Sequence, residues 1–178
     1  RNVAARFFMS EMYHLDPDVM VVRKPYTYDE AKTLATVCVL SGGVNMLGDN
    51  IPELPKERLA LLNNAEVNSL SVGRSAEPID LFEHADLPLA VTLNWVKFRP
   101  TTNKLPRIWC LPIDEETFVG LFNWNRFPRR ITLEFSSIGL EGSYTLHDVW
   151  EKKSLGEHSV SYSTLLPPHA VQLIKISK

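Results

Sequence analysis

The feature that most constrains this chain is a change of pattern partway along its 178 residues. Up to about residue 65, apolar strand-like segments alternate with amphipathic helical ones; beyond residue 86 only short β-rich runs remain. Leu15-Asp16-Pro17-Asp18-Val19-Met20 and Val44-Asn45-Met46-Leu47-Gly48-Asp49 are short apolar runs that carry carboxylates, separated by one helix. Strand, helix, strand, helix predicts an α/β unit with parallel strands. Several β runs at short intervals predict an antiparallel sandwich. The expected fold is therefore α/β plus all-β: the closing β/α units of a TIM-type (β/α) barrel over 1–65, a pattern a doubly wound sheet shares, a connection over 66–86, and an antiparallel β-sandwich over 87–178.

The local signals support this division. Thr27-Tyr28-Asp29-Glu30 is a capping box, with Thr as N-cap, Glu three residues on and acidic groups at the positive helix end. Ala31, Leu34, Ala35 and Cys38 form one stripe with Val37 and Leu40 beside it, wide enough for burial on more than one side. Gly42-Gly43 ends the helix. Pro55 opens a second helix carrying Leu59, Leu61 and Leu62, which Asn63-Asn64 close. Asn68, Ser69, Ser71, Gly73, Arg74, Ser75 and Pro78 then break all periodicity. The expected strands are 89–96, 107–113, 117–123, 130–135, 143–149, 160–162 and 170–176, with Asp114-Glu115-Glu116 turning one hairpin. Ile131, Leu133 and Phe135 alternate with Thr132 and Glu134, as in a strand buried on one face.

Composition limits the partners. A net charge of -2 removes any electrostatic case for nucleic acid or an anionic membrane, and no apolar run approaches a membrane span. Cys38 and Cys110 read as buried free thiols. His14, His84, His147, His158 and His169 are scattered, and no Cys/His spacing resembles a zinc site. Neither a metal nor an organic cofactor is expected. Ser41-Gly42-Gly43 lacks the flanking glycines of a nucleophile elbow. The chain opens on Arg1 rather than Met, so the expectation is the C-terminal part of a larger enzyme, with any targeting segment out of view.

Asp16 and Asp18 are the leading site candidates, because residues two apart in an extended segment face the same side. A pair so close is poorly placed to bracket a glycosidic bond from both faces and better placed to hydrogen-bond sugar hydroxyls. The competing reading is a turn that uses Asp for local hydrogen bonds. Asp49 falls where the second strand should end, the catalytic face of a barrel, or else is a turn carboxylate. Trp95, Trp109, Trp124 and Trp150 offer either sandwich core or faces on which a sugar ring can stack.

Taken in order, Asp16-Pro17-Asp18-Val19-Met20, Thr27-Tyr28-Asp29-Glu30-Ala31, Leu40-Ser41-Gly42-Gly43-Val44-Asn45-Met46-Leu47-Gly48-Asp49 and Leu54-Pro55-Lys56-Glu57-Arg58-Leu59 resemble the retaining α-galactosidases, or melibiases, and their clan relatives. Tyr144-Thr145-Leu146-His147-Asp148-Val149-Trp150, Leu155-Gly156 and Leu166-Pro167-Pro168-His169-Ala170 resemble the C-terminal β domain of the same enzymes. The resemblance implies a (β/α)8 catalytic barrel followed by a β domain, and hydrolysis of terminal α-linked sugars through a covalent glycosyl-enzyme. The family's catalytic aspartate pair would lie before Arg1, so it implies no catalytic residue here and an isolated chain without activity. By motif position Asp18 matches an aspartate lining the substrate pocket, Asp16 precedes it, and Asp49 matches the carboxylate ending the final barrel strand. The implied partners are an α-linked oligosaccharide or galactoside and the remainder of the barrel, without which the N-terminal part should be unstable. Where the family approaches Asp-Pro-Asp through a tryptophan, this chain has Met12-Tyr13-His14-Leu15, which leaves the sugar open. The alternative function is a non-catalytic carbohydrate-binding sandwich module.

Overall fold

The computed structural model describes residues 2–71, 73–81 and 105–178. The expected strand 89–96, Trp95, His84 and the boundary at 86–87 lie outside the described residues.

A short helix α1 (Asn2–Ala5) and a 3-10 turn (Phe7–Glu11) precede strand β1 (Val19–Met20). Helix α2 (Tyr28–Leu40) follows, then β2 (Met46–Leu47), which pairs with β1 in parallel, Val19 opposite Met46. The capping box is complete: Glu30 N–H donates to Thr27 Oγ1 at 3.2 Å and Thr27 N–H to Glu30 Oε2 at 2.8 Å. Bonding to the Thr27 backbone, then to its side chain, holds the Glu30 carboxyl below its ordinary value. At the other end Gly42 takes the left-handed φ of +69° that a helix stop requires. Helix α3 (Lys56–Leu62) starts just after Pro55 and ends at Asn63. Asn64 does not close it; its side chain caps a further short helix, α4 (Ala65–Asn68), by accepting from Val67 N–H.

The β region starts inside the expected connection. β3 (Glu77–Pro78) pairs with β4 (Ile108–Ile113), and β5 (Glu116–Phe122), β6 (Arg129–Glu134), β7 (Tyr144–Asp148), β8 (Lys153–His158), β9 (Ser161–Leu166) and β10 (Val171–Ser177) follow. Six strands form one antiparallel sheet in the order β3-β4-β5-β10-β7-β8, and β6 and β9 form a separate pair. The β4–β5 hairpin turns at Asp114, where Asp takes a φ of +52°. β8 has no apolar alternation and only edge exposure, so no periodicity announces it.

Burial explains the strand composition. β4 points Ile108 and Cys110 to one side and Trp109 and Leu111 to the other, all buried. One side meets Ile131, Leu133 and Phe135 beyond it, closing the sandwich core. The opposite side packs on Ala31, Ala35, Val39 and Leu40 of α2 and Leu61 and Leu62 of α3. Strands buried on both faces read as continuous apolar runs, whereas β6, one face wet, alternates. Gly120 sits where α2 comes closest: a Cβ there would lie 2.8 Å from Leu40 Cδ1 and 2.8 Å from the Phe122 ring. The α layer and the sandwich thus share one core. Each large side chain buried in it contributes roughly 1.5–3 kcal/mol, against about 0–1 kcal/mol for the partly exposed Lys32–Glu151 ion pair across the same seam. Burial holds the layers together.

Candidate functional site

The expectation of two carboxylates on one extended face meets a different backbone. Asp18 has a φ of +71°, outside the extended region, so the alternation of side chains is broken there. Val44 N–H reaches Leu15 O at 3.4 Å before this point, and the β1–β2 register resumes at Val19 after it. Asp16-Pro17-Asp18 is therefore a bulge in the parallel pairing rather than a strand end. Pro17, with no N–H to contribute, fits such a place. Local hydrogen bonds offset the strain: Asp18 N–H donates to Asp16 Oδ1 at 2.8 Å, and Val19 N–H to Asp18 Oδ1 at 2.8 Å. Both aspartates remain exposed. A non-glycine residue held at positive φ beside an open carboxylate is a place where strain and function often coincide.

Asp49 is used differently. Its side chain is 0% exposed and stands beyond the far end of β2. It accepts Val22 N–H at 2.6 Å, Arg23 N–H at 3.3 Å and the Arg23 guanidinium at 2.9 Å. Arg23 also donates to Gly48 O at 2.6 Å. The bulge and Asp49 thus flank the β1–β2 pair, Asp16 and Asp18 ahead of the paired residues and Asp49 after them. Arg58, which the sequence reading did not single out, donates to Val22 O at 2.7 Å, Tyr26 O at 2.9 Å and Thr27 O at 3.2 Å. It fixes the loop between β1 and α2 from a helix more than thirty residues away, and no local pattern around Arg58 announces that role.

The three described tryptophans make packing or hydrogen-bond contacts within the chain. Trp109 is buried against the α layer. Trp124 stacks on Phe122 with ring centres 4.8 Å apart and planes 7° from parallel, and donates to Pro106 O at 2.7 Å. Trp150 donates to Thr36 Oγ1 of α2 at 2.9 Å. Trp109 and Trp124 border a cavity of about 380 Å³ between α2 and the sandwich, with Tyr26, Glu30, Thr33 and His169 on its walls. Two of its polar groups are engaged within the chain: Thr33 Oγ1 with His169 O, and Glu30 with the helix cap. Among the described residues no group of three or more His, Cys, Asp or Glu is arranged to hold a metal ion. Cys38 and Cys110 are buried and unpaired. Burial, then the Asp18 charge, pushes the Cys38 thiol up to about 11; burial, then the Glu77 charge, pushes Cys110 up to about 12. Neither is a nucleophile near neutral pH.

With this geometry in hand, the comparisons with known proteins fall on both regions. Residues 105–176 match the family described as the alpha galactosidase C-terminal beta sandwich domain. The chain is 27% identical over 136 residues to α-galactosidase D of Emericella nidulans, a stretch that covers 74% of this chain and 18% of that protein. Its fold is similar to a GH27 β-L-arabinopyranosidase from Geobacillus stearothermophilus, with a TM-score of 0.74 at 18% identity over 97% of this chain and 40% of that one. It is also similar to the α-galactosidase of Saccharomyces cerevisiae solved with raffinose, with a TM-score of 0.74 at 13% identity over 98% of this chain and 50% of that one. The chain thus spans half or less of the length of these relatives. In sequence and in fold it is similar to part of α-galactosidase-type glycoside hydrolases, and its sandwich is of the type that forms their C-terminal β domain.

Proposed function

We propose that a chain whose sandwich is of α-galactosidase type serves as the C-terminal part of a retaining glycoside hydrolase acting on terminal α-linked sugars. Residues 1–65 would supply the last units of the (β/α)8 catalytic barrel, 66–86 the connection, and 87–178 the sandwich domain. The observation that carries this reading is a strand–helix–strand unit with parallel strands, β1-α2-β2, whose helix is docked on that sandwich.

In this reading the catalytic aspartate pair stands on barrel strands outside this chain. Asp18, with Asp16 bracing it, presents an open carboxylate to the sugar and accepts hydrogen bonds from its hydroxyls. A charge-assisted hydrogen bond of this kind contributes about 1.5–3 kcal/mol. Asp49, saturated by Val22 and Arg23, supports the pocket by tying the far end of β2 to the loop that follows β1. No step requires a metal or an organic cofactor: the covalent intermediate forms on a carboxylate. The sandwich docks and stiffens α2, the helix between the two parallel strands. The alternative of a sugar-binding module is weakened for two of the tryptophans, because Trp109 is buried in the core shared with α2 and Trp150 is tied to Thr36 of that helix.

The test is hydrolysis of aryl α-galactoside and aryl β-L-arabinopyranoside by the full-length enzyme carrying this sequence and by the 178-residue chain alone. The full enzyme is expected to turn over one of them and the chain neither. Turnover by the pure chain, or none by the full enzyme on any terminal glycoside, overturns the proposal.

A further inference from the structure

We infer that the pair Gly42-Gly43 is a junction through which the sandwich sets the position of Asp16 and Asp18, and that Gly43 is the positioning residue. The inference rests on the reading of Asp18 as a hydroxyl-binding carboxylate and adds to it how that carboxylate is held.

A helix stop explains only the first glycine. Gly42 has the left-handed φ of +69°, but Gly43 has no positive φ, and its backbone conformation makes no demand for glycine. What demands it is space. A Cβ on Gly43 would lie 1.8 Å from Leu15 O and 3.3 Å from Pro17 Cδ. Leu15 O is the atom that accepts Val44 N–H, and Asp16 is the next residue along. The bulge carrying both aspartates therefore lies directly on the Gly43 backbone.

Gly42 makes the equivalent contact on the other side. A Cβ there would lie 2.1 Å from Arg74 O. Arg74 belongs to the segment running into β3, where Ala76 N–H donates to Leu40 O at 2.7 Å and the Arg74 guanidinium bonds to Pro112 O of β4. Ser41, fully buried, locks the turn between these contacts: Oγ donates to Cys38 O at 2.6 Å and accepts Gly43 N–H at 3.3 Å. Backbone touching backbone cannot yield as the end of a flexible side chain can. A displacement of the β3 segment is thus passed through two residues to the Asp16-Pro17-Asp18 bulge.

The experiment measures kcat and KM of the full-length enzyme with Gly43→Ala, Asp18→Asn and the two combined. Gly139→Ala serves as control, a glycine at φ +72° in the sandwich with nothing within 4 Å of its Cβ position. Gly43→Ala is expected to raise KM about tenfold while kcat changes less, because a hydrogen bond to a charged group is lost in ground and transition states alike. The rise should disappear in the Asp18→Asn background, since the two substitutions act on one interaction. Gly139→Ala should lower thermal stability without moving KM. A Gly43→Ala variant that loses stability at unchanged KM overturns the inference, and so does an equal rise in KM with and without the Asp18 carboxylate. An Asp18→Asn enzyme with unchanged KM fails the binding role itself, which separates that failure from a failure of the junction. Should Gly43→Ala not fold, Pro17→Ala, which removes the ring atom packed on Gly43, decides the matter. A KM raised a few fold only when Asp18 is present supports the junction, and an unchanged KM overturns it.

Discussion

The two regions of this chain solve the burial problem differently. Over residues 105–178 the large sheet and the β6–β9 pair cover each other, and the apolar residues left well exposed, Phe127, Val160 and Leu165, are scattered over loops and an edge strand. Among the described residues the β1–β2 pair has no such cover. Val19, Met46 and Leu47, the paired residues other than Met20, are each 41–51% exposed, and Val44, two residues before β2, is exposed as well. Parallel strands in folded proteins are covered on both faces. An antiparallel sandwich is complete once its two sheets meet, whereas a strand–helix–strand unit is complete only among further strands. That contrast is what the glycosidase reading expects of a unit that closes a barrel.

The contrast can be broken or sharpened by perturbing each side in turn. The largest effect is expected from Phe135→Ala, which empties a fully buried site between the sandwich sheets. It should cost about 3–5 kcal/mol in urea unfolding. Because α2 shares the core of the same sheet, the helical and β signals should shift together; separate transitions would show two independent bodies instead of one.

A smaller and more local loss is expected from Asp49→Ala. It strands the buried Val22 N–H at the end of the parallel pair and should cost about 1–3 kcal/mol. Limited proteolysis should then cut between β1 and β2 while the 105–178 region stays intact. Cleavage appearing first in the sandwich would contradict the division.

The smallest effect is in the pH dependence. Both thiols have folded values above the ordinary one near 9, so folding is undisturbed below that pH and weakens above it, as the unfolded chain releases protons the fold retains. The loss should reach about 1 kcal/mol per thiol by pH 10 and, for Cys38, level off near 11. Cys38→Ala reports the α layer and Cys110→Ala the sandwich. Each should remove its own share of the slope, and a wild-type slope in both would refute the assignment. Neither thiol should react with a thiol reagent in the native protein at pH 8.

Much of this architecture was legible beforehand because its causes are local. The Thr27–Glu30 capping box, the stop at Gly42, the alternation of β6 and the turn at Asp114 all follow from residues within four positions of one another. β3 and β8 were not legible: one is two residues long inside a polar stretch, and the other is an exposed edge strand ending in charged groups. The same holds for the site. Asp16, Asp18 and Asp49 stood out as carboxylates near strands, but their environments did not, since Asp18 bends out of the extended region and Asp49 is consumed by Val22 and Arg23.

What remained belongs to contacts between distant parts of the chain. β10, the last strand, lies between β5 and β7 within the large sheet, where Val171 and Leu173 join the core shared with α2 and Ile174 and Ile176 join the sandwich core. Trp109 and Trp150 had equal claims to core or ligand in one dimension, and the arrival of α2 against the sandwich settled both. The second glycine of Ser41-Gly42-Gly43 shows the difference most plainly. Periodicity and helix-stop chemistry account for Gly42, but the reason for Gly43 is the carbonyl of Leu15, brought against it by folding. Backbone conformation is a local property and can be read along the chain; close approach is a property of two segments and exists only once they have met.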